Sequence, residues 1–332
     1  MRFVQNFIVF FFSAGAFLLL FLTLIPFLPS VLWPLELLSH FQTHYFLAAA
    51  VAVLSAAILR RTLPGLYFTK QLLRPLFLVP LLLALAVSFF SIAPYLPVRI
   101  IMGEAVKGGE TLTVLQSNVY KYNADYAALL AHIETHNPDI IAVSEATPGW
   151  RDALLPLKEK DWPHMIDRAA PGSHGMVVLS RYPFIEKEVL YPSTKTHPVI
   201  FFRIRAQERD ILLASLHPLS PMTARRYHSR DEDLAATAAY LEAHAKGNVS
   251  VIVTGDLNTT MFSPSYKQFI RETGLTNTRR GRGLYGSWPV FLPAPARIAI
   301  DHTLYKGELE SVHFTTLPSI NSDHLSTLAV FR

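Results

Sequence analysis

Hydrophobic positions follow two regimes along the chain, with the change between them near residue 97. Before it, apolar residues run almost unbroken through three stretches; after it, they come in short runs separated by polar turns. The first regime predicts membrane-spanning helices, because about 20 apolar residues rising ~1.5 Å each cross the ~30 Å hydrocarbon layer of a bilayer. Spans at about 7–28, 44–60 and 75–95 follow, in a membrane domain covering residues 1–97. The middle span is short and Ala-rich and needs its flanking residues to reach across. Pro75 and Pro80 lie near the start of the third, where a missing amide donor costs least. No small-x-small cleavage site in polar surroundings follows the first span, so it reads as retained and not as a cleaved leader.

The second regime predicts strands at 111–119, 139–143, 175–179, 199–206, 210–215, 249–254, 298–305, 311–315 and 325–331. Helices are predicted at 124–136, at 224–245 where Ala, Leu, Glu and Arg abound, and at 263–272. Many strands with few helices between them argue for packed sheets with external helices over a regular alternation of strand and helix. Residues 98–110, with the polar run from Lys107 to Glu110, form a connector, and 111–332 a second domain.

Charge divides the 332 residues at the same place. Residues 1–97 hold five Lys or Arg and one acid, Glu36, whereas 98–332 hold 25 basic and 24 acidic residues. The second domain therefore lacks the positive excess of a general nucleic-acid binder, although a local basic patch is compatible with that sum. Between the second and third spans stand Arg60, Arg61, Lys70 and Arg74 with no acid, while no Lys or Arg separates the first two spans. By the positive-inside rule the N-terminus and this basic connection are cytoplasmic, which places residues 111–332 outside the cytoplasmic membrane, in the periplasm or cell exterior. The chain has no cysteine, which excludes disulfides, zinc thiolate sites and thiol nucleophiles.

The candidate chemistry recurs at the ends of apolar strands. Asn118 follows 112–117, Glu145 follows 140–144, His217 follows 211–216, and Asp256 follows 251–255. A strand end joins a rigid anchor to exposure, so such residues can converge in one cleft. Any one of them also suits a turn; four in the same arrangement do not reduce to turn formation.

With these residues in place, the chain from about Thr111 to Arg332 resembles the endonuclease/exonuclease/phosphatase superfamily, and in particular its bacterial membrane-anchored branch. The matching blocks, in order, are Gln116 to Val119, Pro138 to Glu145, Gly175 to Pro183, Ser215 to Pro218, Thr254 to Thr259 around Gly255-Asp256-Leu257-Asn258, Ile300 to His302, and Ser322-Asp323-His324. The resemblance implies a four-layer α/β/β/α sandwich of two mixed sheets with a divalent-metal phosphohydrolase site at one edge.

Glu145 is the expected Mg²⁺ ligand, with Asn118 assisting directly or through water and Asp323 completing or orienting the set; Mn²⁺ is able to substitute. The resemblance matches Asp301 and His324 to an Asp–His pair, the Asp fixing the imidazole tautomer so that the other nitrogen donates to phosphate. Asp256 is expected to orient or deprotonate the attacking water, and Asn258 to position it or donate to a phosphate oxygen. His217 matches a second phosphate-contacting imidazole of some branches, without an evident carboxylate partner. Arg230 is a candidate for substrate phosphate or for anchoring its helix, and Arg282, within the run Arg279-Arg280-Gly281-Arg282, for a phosphate or lipid-headgroup patch. Trp288 reads as a substrate-pocket element or a core residue, and His302 as a residue beside the metal ligands or a satisfied polar side chain. The expected function is hydrolysis of phosphate esters, most readily a phosphodiester, by metal-assisted water attack outside the cytoplasm. A DNA or RNA nuclease, and a non-enzymatic binding module of the same fold, remain alternatives. The partners implied are the bilayer and a lipid or nucleic-acid phosphate ester; no obligate protein partner is evident.

Overall fold

The computed structural model describes residues 2–28, 32–63, 70, 74–101 and 110–332. It forms two compact units, one comprising Met1–Leu96 with Phe262–Pro264 and the other Pro97–Met261 with Ser265–Arg332.

The first unit is helical: α1 (Arg2–Leu24), α2 (Trp33–Ser39), α3 (Gln42–Thr62) and α4 (Pro75–Ile92). Three segments, Phe3–Phe27, Gln42–Thr62 and Pro75–Tyr95, are long and apolar enough to cross a membrane. The middle one runs to 21 residues because helix continues into the polar flanks of its Ala-rich centre. Small side chains allow close helix approach: Ala16 and Ala56 are buried with Phe77 and Leu81, against Ala52 and Val53. Phe7, Phe10 and Phe11 face outward and exposed, as suits a lipid-facing surface. Of the basic connection, 64–69 and 71–73 lie outside the described residues.

The second unit opens with α5 (Val98–Ile101); the rest of the expected connector, 102–109, lies outside the described residues. There follow β1 (Leu112–Asn118), α6 (Tyr126–His136), β2 (Ile140–Ser144), α7 (Pro148–Leu154), β3 (His164–Arg168) and β4 (Met176–Ser180). Then come β5 (Glu186–Leu190), β6 (Val199–Ala206), β7 (Arg209–Leu216), α8 (Ala224–His244) and β8 (Ser250–Asp256). The chain closes with α9 (Pro264–Thr273), β9 (Thr276–Asn277), β10 (Asp301–Lys306), β11 (Ser311–Thr316) and β12 (Thr327–Phe331). Two six-stranded sheets result, ordered β11-β12-β1-β2-β4-β3 and β5-β6-β7-β8-β10-β9. Each is mixed, with one parallel pair, β1–β2 and β7–β8, made by the crossover helices α6 and α8.

Period-two alternation explains the layers. Val114, Ile140 and Val178 point into the core shared by the two sheets, where they meet Phe202, Leu213 and Ile252. Their neighbours Leu115, Ile141, Val177 and Leu179 point the other way, against Leu129 and Ile133 of α6 and Trp150 of α7. On the far side, Phe201 stacks on Tyr240 of α8 at 3.7 Å between ring centroids. The four-layer sandwich is the expected architecture.

The differences from the sequence reading are local. The hydrophobic pattern does not predict β3, β5, β9 or α7, and β10 begins at Asp301, while Ile298 forms an isolated bridge with Trp288. β3 and β5 are edge strands, and β5 carries Glu186, Lys187 and Glu188, charges that protect an edge and erase the apolar pattern that marks a strand.

Asp233 of α8 is buried, and its Oδ1 accepts from Ser193 N–H at 3.2 Å, tying the β5–β6 connection to the helix. Burial, opposed by that hydrogen bond, pushes its carboxyl up to about 6. An acid with a raised folded-state pKa binds more protons folded than unfolded, so its contribution to stability falls as pH rises from about 4 to 6. Asp233→Asn should therefore gain roughly 1–3 kcal/mol on the unmodified chain between pH 4 and 7. Thermal melts of both across that range test this; parallel pH profiles would contradict it.

Candidate active site

The carboxyl ends of the two parallel strand pairs lie at the same edge of the sandwich, and the polar residues gather there. Asn118 ends β1 opposite Ser144 of β2, which brings Glu145, one residue on, beside it. Glu145 adopts φ +58° and accepts from Lys121 N–H at Oε2, 3.0 Å. In the second sheet Asp256 ends β8 directly opposite Asp301, the first residue of β10. Gly255 makes that strand end possible: a Cβ there would stand 1.9 Å from the Leu216 carbonyl oxygen.

Two hydrogen bonds join the sheets across this edge. Asn118 Nδ2 donates to Asp256 Oδ2 at 3.0 Å, and Gln116 Nε2 to Asp301 Oδ1 at 3.0 Å. His324 is fixed from three sides. Ser322 Oγ donates to Asn118 O at 2.7 Å and accepts from His324 N–H, Nδ1 lies 2.8 Å from Asp301 Oδ2, and Nε2 lies 3.7 Å from Asp256 Oδ2. His217 faces the same carboxylate, Nε2 to Asp256 Oδ2 at 3.4 Å, so the partner not evident in its sequence neighbourhood is Asp256. Its Nδ1 is buried without a protein partner among the described residues. Asn258, at φ +49°, donates its backbone N–H to Asp256 Oδ1 at 2.9 Å and its side-chain amide to Pro218 O at 3.0 Å.

These contacts set the charges. Burial acts to lower the pKa of His324, but the charges of Asp301 and Asp256 outweigh it and carry the imidazole up to about 10. Burial likewise acts to raise Asp256, yet the charge of His324 and the hydrogen bond from His217 hold it down to about 2. His217 is shifted upward, its burial outweighed by the hydrogen bond and charge of Asp256. The centre is thus an anion between two imidazolium-prone rings.

Asp323 accepts from Trp288 Nε1 at Oδ2, 3.3 Å, and the indole lies 6.4 Å from the His324 ring, so both border the cluster. The remaining candidates lead elsewhere. Arg230 is fully buried, donating to Asp231 at 2.8 Å and Ser265 Oγ at 2.9 Å. Arg282 is buried and donates to the carbonyls of Thr278 and Ser311. Arg279, fully buried, donates to Asp301 O at 2.6 Å and so braces β10. The expected basic patch is therefore mostly an internal brace. His302 is a satisfied buried side chain, Nε2 at 2.8 Å from Thr259 O, held down to about 3 by burial and the charge of Arg279. Gln116 is a further residue of the cluster, and its position two residues before Asn118, on the same strand face, is the signal for it in the sequence.

Among the described residues Asp256, Asp301 and His324 each offer a ligand atom, all within 4.8 Å of one another. Carboxylate oxygens suit a hard divalent cation, whereas His324 in its charged form has no lone pair to give.

The comparisons agree with this architecture. The model of the Endonuclease/Exonuclease/phosphatase family matches residues 115–324, ending on His324. D. rerio TDP2 complexed with single-strand DNA product superposes with TM-score 0.54 at 14% identity, over 68% of this chain and 100% of that one. A mannosyl-6-phosphatase of Bacteroides thetaiotaomicron gives 0.52 at 18%, over 67% and 99%. An endonuclease/exonuclease/phosphatase from Beutenbergia cavernae gives 0.55 at 18%, over 68% and 72%. At these identities the likeness is one of fold, and no curated protein matches the sequence. Taken with the acid–imidazole cluster, the matched model shows that the chain belongs to the Endonuclease/Exonuclease/phosphatase family and is a divalent-metal-dependent hydrolase of phosphate esters.

Proposed function

We propose that the chain is a Mg²⁺-dependent phosphodiesterase whose substrate class is a nucleic-acid strand, anchored in the membrane with residues 111–332 outside the cytoplasm. The observation that carries the chemistry is the buried Asp256 carboxylate set between His217 and His324. Support for the strand comes from the solved TDP2 complex holding single-strand DNA product. Glu145, Asn118 and Asp323 would hold the cation, which when bound offsets charge on the phosphoryl oxygens.

The chain's own residues do the rest. A carboxylate held near 2 is a weak base at neutral pH, so Asp256 acts first by accepting a hydrogen bond from water and aiming it. Asn258 positions that water or donates to a phosphate oxygen, and His324, kept charged by Asp301, donates to another. His217 supplies a second donor. Arg230 and Arg282 act through packing, and Trp288 borders the substrate.

A lipid phosphodiester is the second reading, favoured by the three apolar helices, since a tether near the bilayer raises local substrate concentration. Purified full-length chain with Mg²⁺, assayed on single-stranded DNA, duplex DNA and sphingomyelin or phosphatidylcholine vesicles, separates the two: cleavage of lipid alone would overturn the nucleic-acid reading. The orientation rests on Arg60, Arg61, Lys70 and Arg74. A C-terminal reporter active only in the cytoplasm would refute it.

A further inference from the structure

A groove of about 390 Å³ opens on the second unit between the β3–β4 and β5–β6 connections. One wall is the β3–β4 hairpin, with Asp167, Arg168 and His174; the other is the β5–β6 connection, with Tyr191 and Lys195. The hairpin is fastened to the residue after Glu145: Ala146 N–H donates to Gly175 O at 2.9 Å, and Ala170 N–H to Ala146 O at 3.1 Å. The second wall runs into β6, whose first residue Val199 pairs with Leu216, immediately before His217. The groove therefore leads away from the strand ends that carry Glu145 and His217. Its walls meet where the rings of His174 and His197 stand 5.7 Å apart.

The lining is cationic and polar. Lys195 makes no hydrogen bond or ion pair among the described residues, and Arg168 spends one N–H on the Asp167 carbonyl and faces no carboxylate within ion-pair distance. The one acid of the groove is already engaged, Asp167 Oδ1 accepting from Ala169 N–H at 2.8 Å while Oδ2 lies 3.9 Å from Arg151. His197 Nδ1 lies 3.2 Å from the hydroxyls of Thr194 and Thr196, and burial together with the charges of His217 and His174 holds the ring down to about 4, so it stays neutral at neutral pH. Besides the Tyr191 ring, the apolar lining amounts to Ala169, Ala170 and Pro198, too little for an acyl chain. In a domain whose charges nearly cancel, this is a local pair of unpaired cations among the described residues, on a groove whose hairpin is bonded to the residue after Glu145.

We propose that the groove seats the phosphate next to the scissile one on a nucleotide strand, with Arg168 and Lys195 neutralising it, His174 donating to it and Tyr191 stacking on the adjoining base. Phosphate contacts of this kind fix register without reading sequence, and an exposed aromatic ring accepts any base. The inference rests on the nucleic-acid reading given above.

The test is binding without turnover. Full-length Asp256→Asn chain in detergent micelles with Mg²⁺ is titrated with a fluorescent single-stranded DNA pentamer across a salt series, with and without Arg168→Ala/Lys195→Ala. Loss of two phosphate contacts should weaken binding about tenfold at low salt and flatten the slope of log K against log salt by about 1. Lys158→Ala, an exposed cation outside the groove, should change neither. Unchanged affinity and slope in the double variant overturn the proposal, as does loss of binding to phosphatidylglycerol vesicles with the pentamer unaffected. A parent chain that binds no pentamer at all contradicts the nucleic-acid reading itself, an outcome distinct from an insensitive groove.

Discussion

Asp256→Asn is expected to lower turnover by about 10³-fold while the chain stays folded. The side chain is buried and anionic, accepts from Asn118 and from the Asn258 N–H, and lies 3.4 and 3.7 Å from two imidazoles. An amide keeps the shape and one accepting oxygen, but it replaces the other oxygen with a donor and removes the charge. Water then loses its acceptor, and positioned acid, base and electrostatic groups each contribute on the order of 10²-fold or more. His217 owes its raised pKa to Asp256, so its titration should move to lower pH in the variant. Steady-state rates and an NMR titration of labelled histidine check both; wild-type turnover, or an unmoved His217, would count against the assignment.

His324→Ala carries the second large effect. The ring is the donor held against Asp301 at 2.8 Å, and its removal leaves a fully buried carboxylate supported only by Gln116 among the described side-chain contacts. Turnover should fall about 10²- to 10³-fold, and stability should fall by about 3 kcal/mol because a buried charge loses its partner. His324→Gln separates the two losses. Its amide can still donate to Asp301 but brings no positive charge to phosphate, so stability should recover more than turnover. Recovery of both to wild-type values would show that His324 serves packing alone.

What was legible in the sequence follows from how each signal is encoded. Asn118, Glu145, His217 and Asp256 stood out because each ends an apolar strand, and strand ends are local patterns. The facing of His217 and Asp256 was not legible, since it depends on β7 and β8 lying parallel across the α8 crossover. The three long apolar helices are plain from length and hydropathy, while β3 and β5 are hidden by their edge positions. Arg279 and Arg282 read as a surface patch because charge implies exposure by default. Their donors instead satisfy carbonyls that the β9–β11 region buries, a tertiary demand that residue type does not announce. Gln116 belongs to the same class, a polar residue inside a strand whose partner lies 185 residues away.

A metal-dependent phosphoester centre at this strand edge makes turnover conditional on the cation. Its most direct test strips the full-length chain with EDTA and follows bis-p-nitrophenyl phosphate hydrolysis against added Mg²⁺, for wild type and Glu145→Gln. Turnover should be lost in EDTA and recover on adding Mg²⁺, with a half-maximal Mg²⁺ concentration at least about tenfold higher for Glu145→Gln, which lacks the anionic ligand. Full hydrolysis in EDTA would rule out a metal-dependent centre, and superimposable Mg²⁺ curves would remove Glu145 from the metal site.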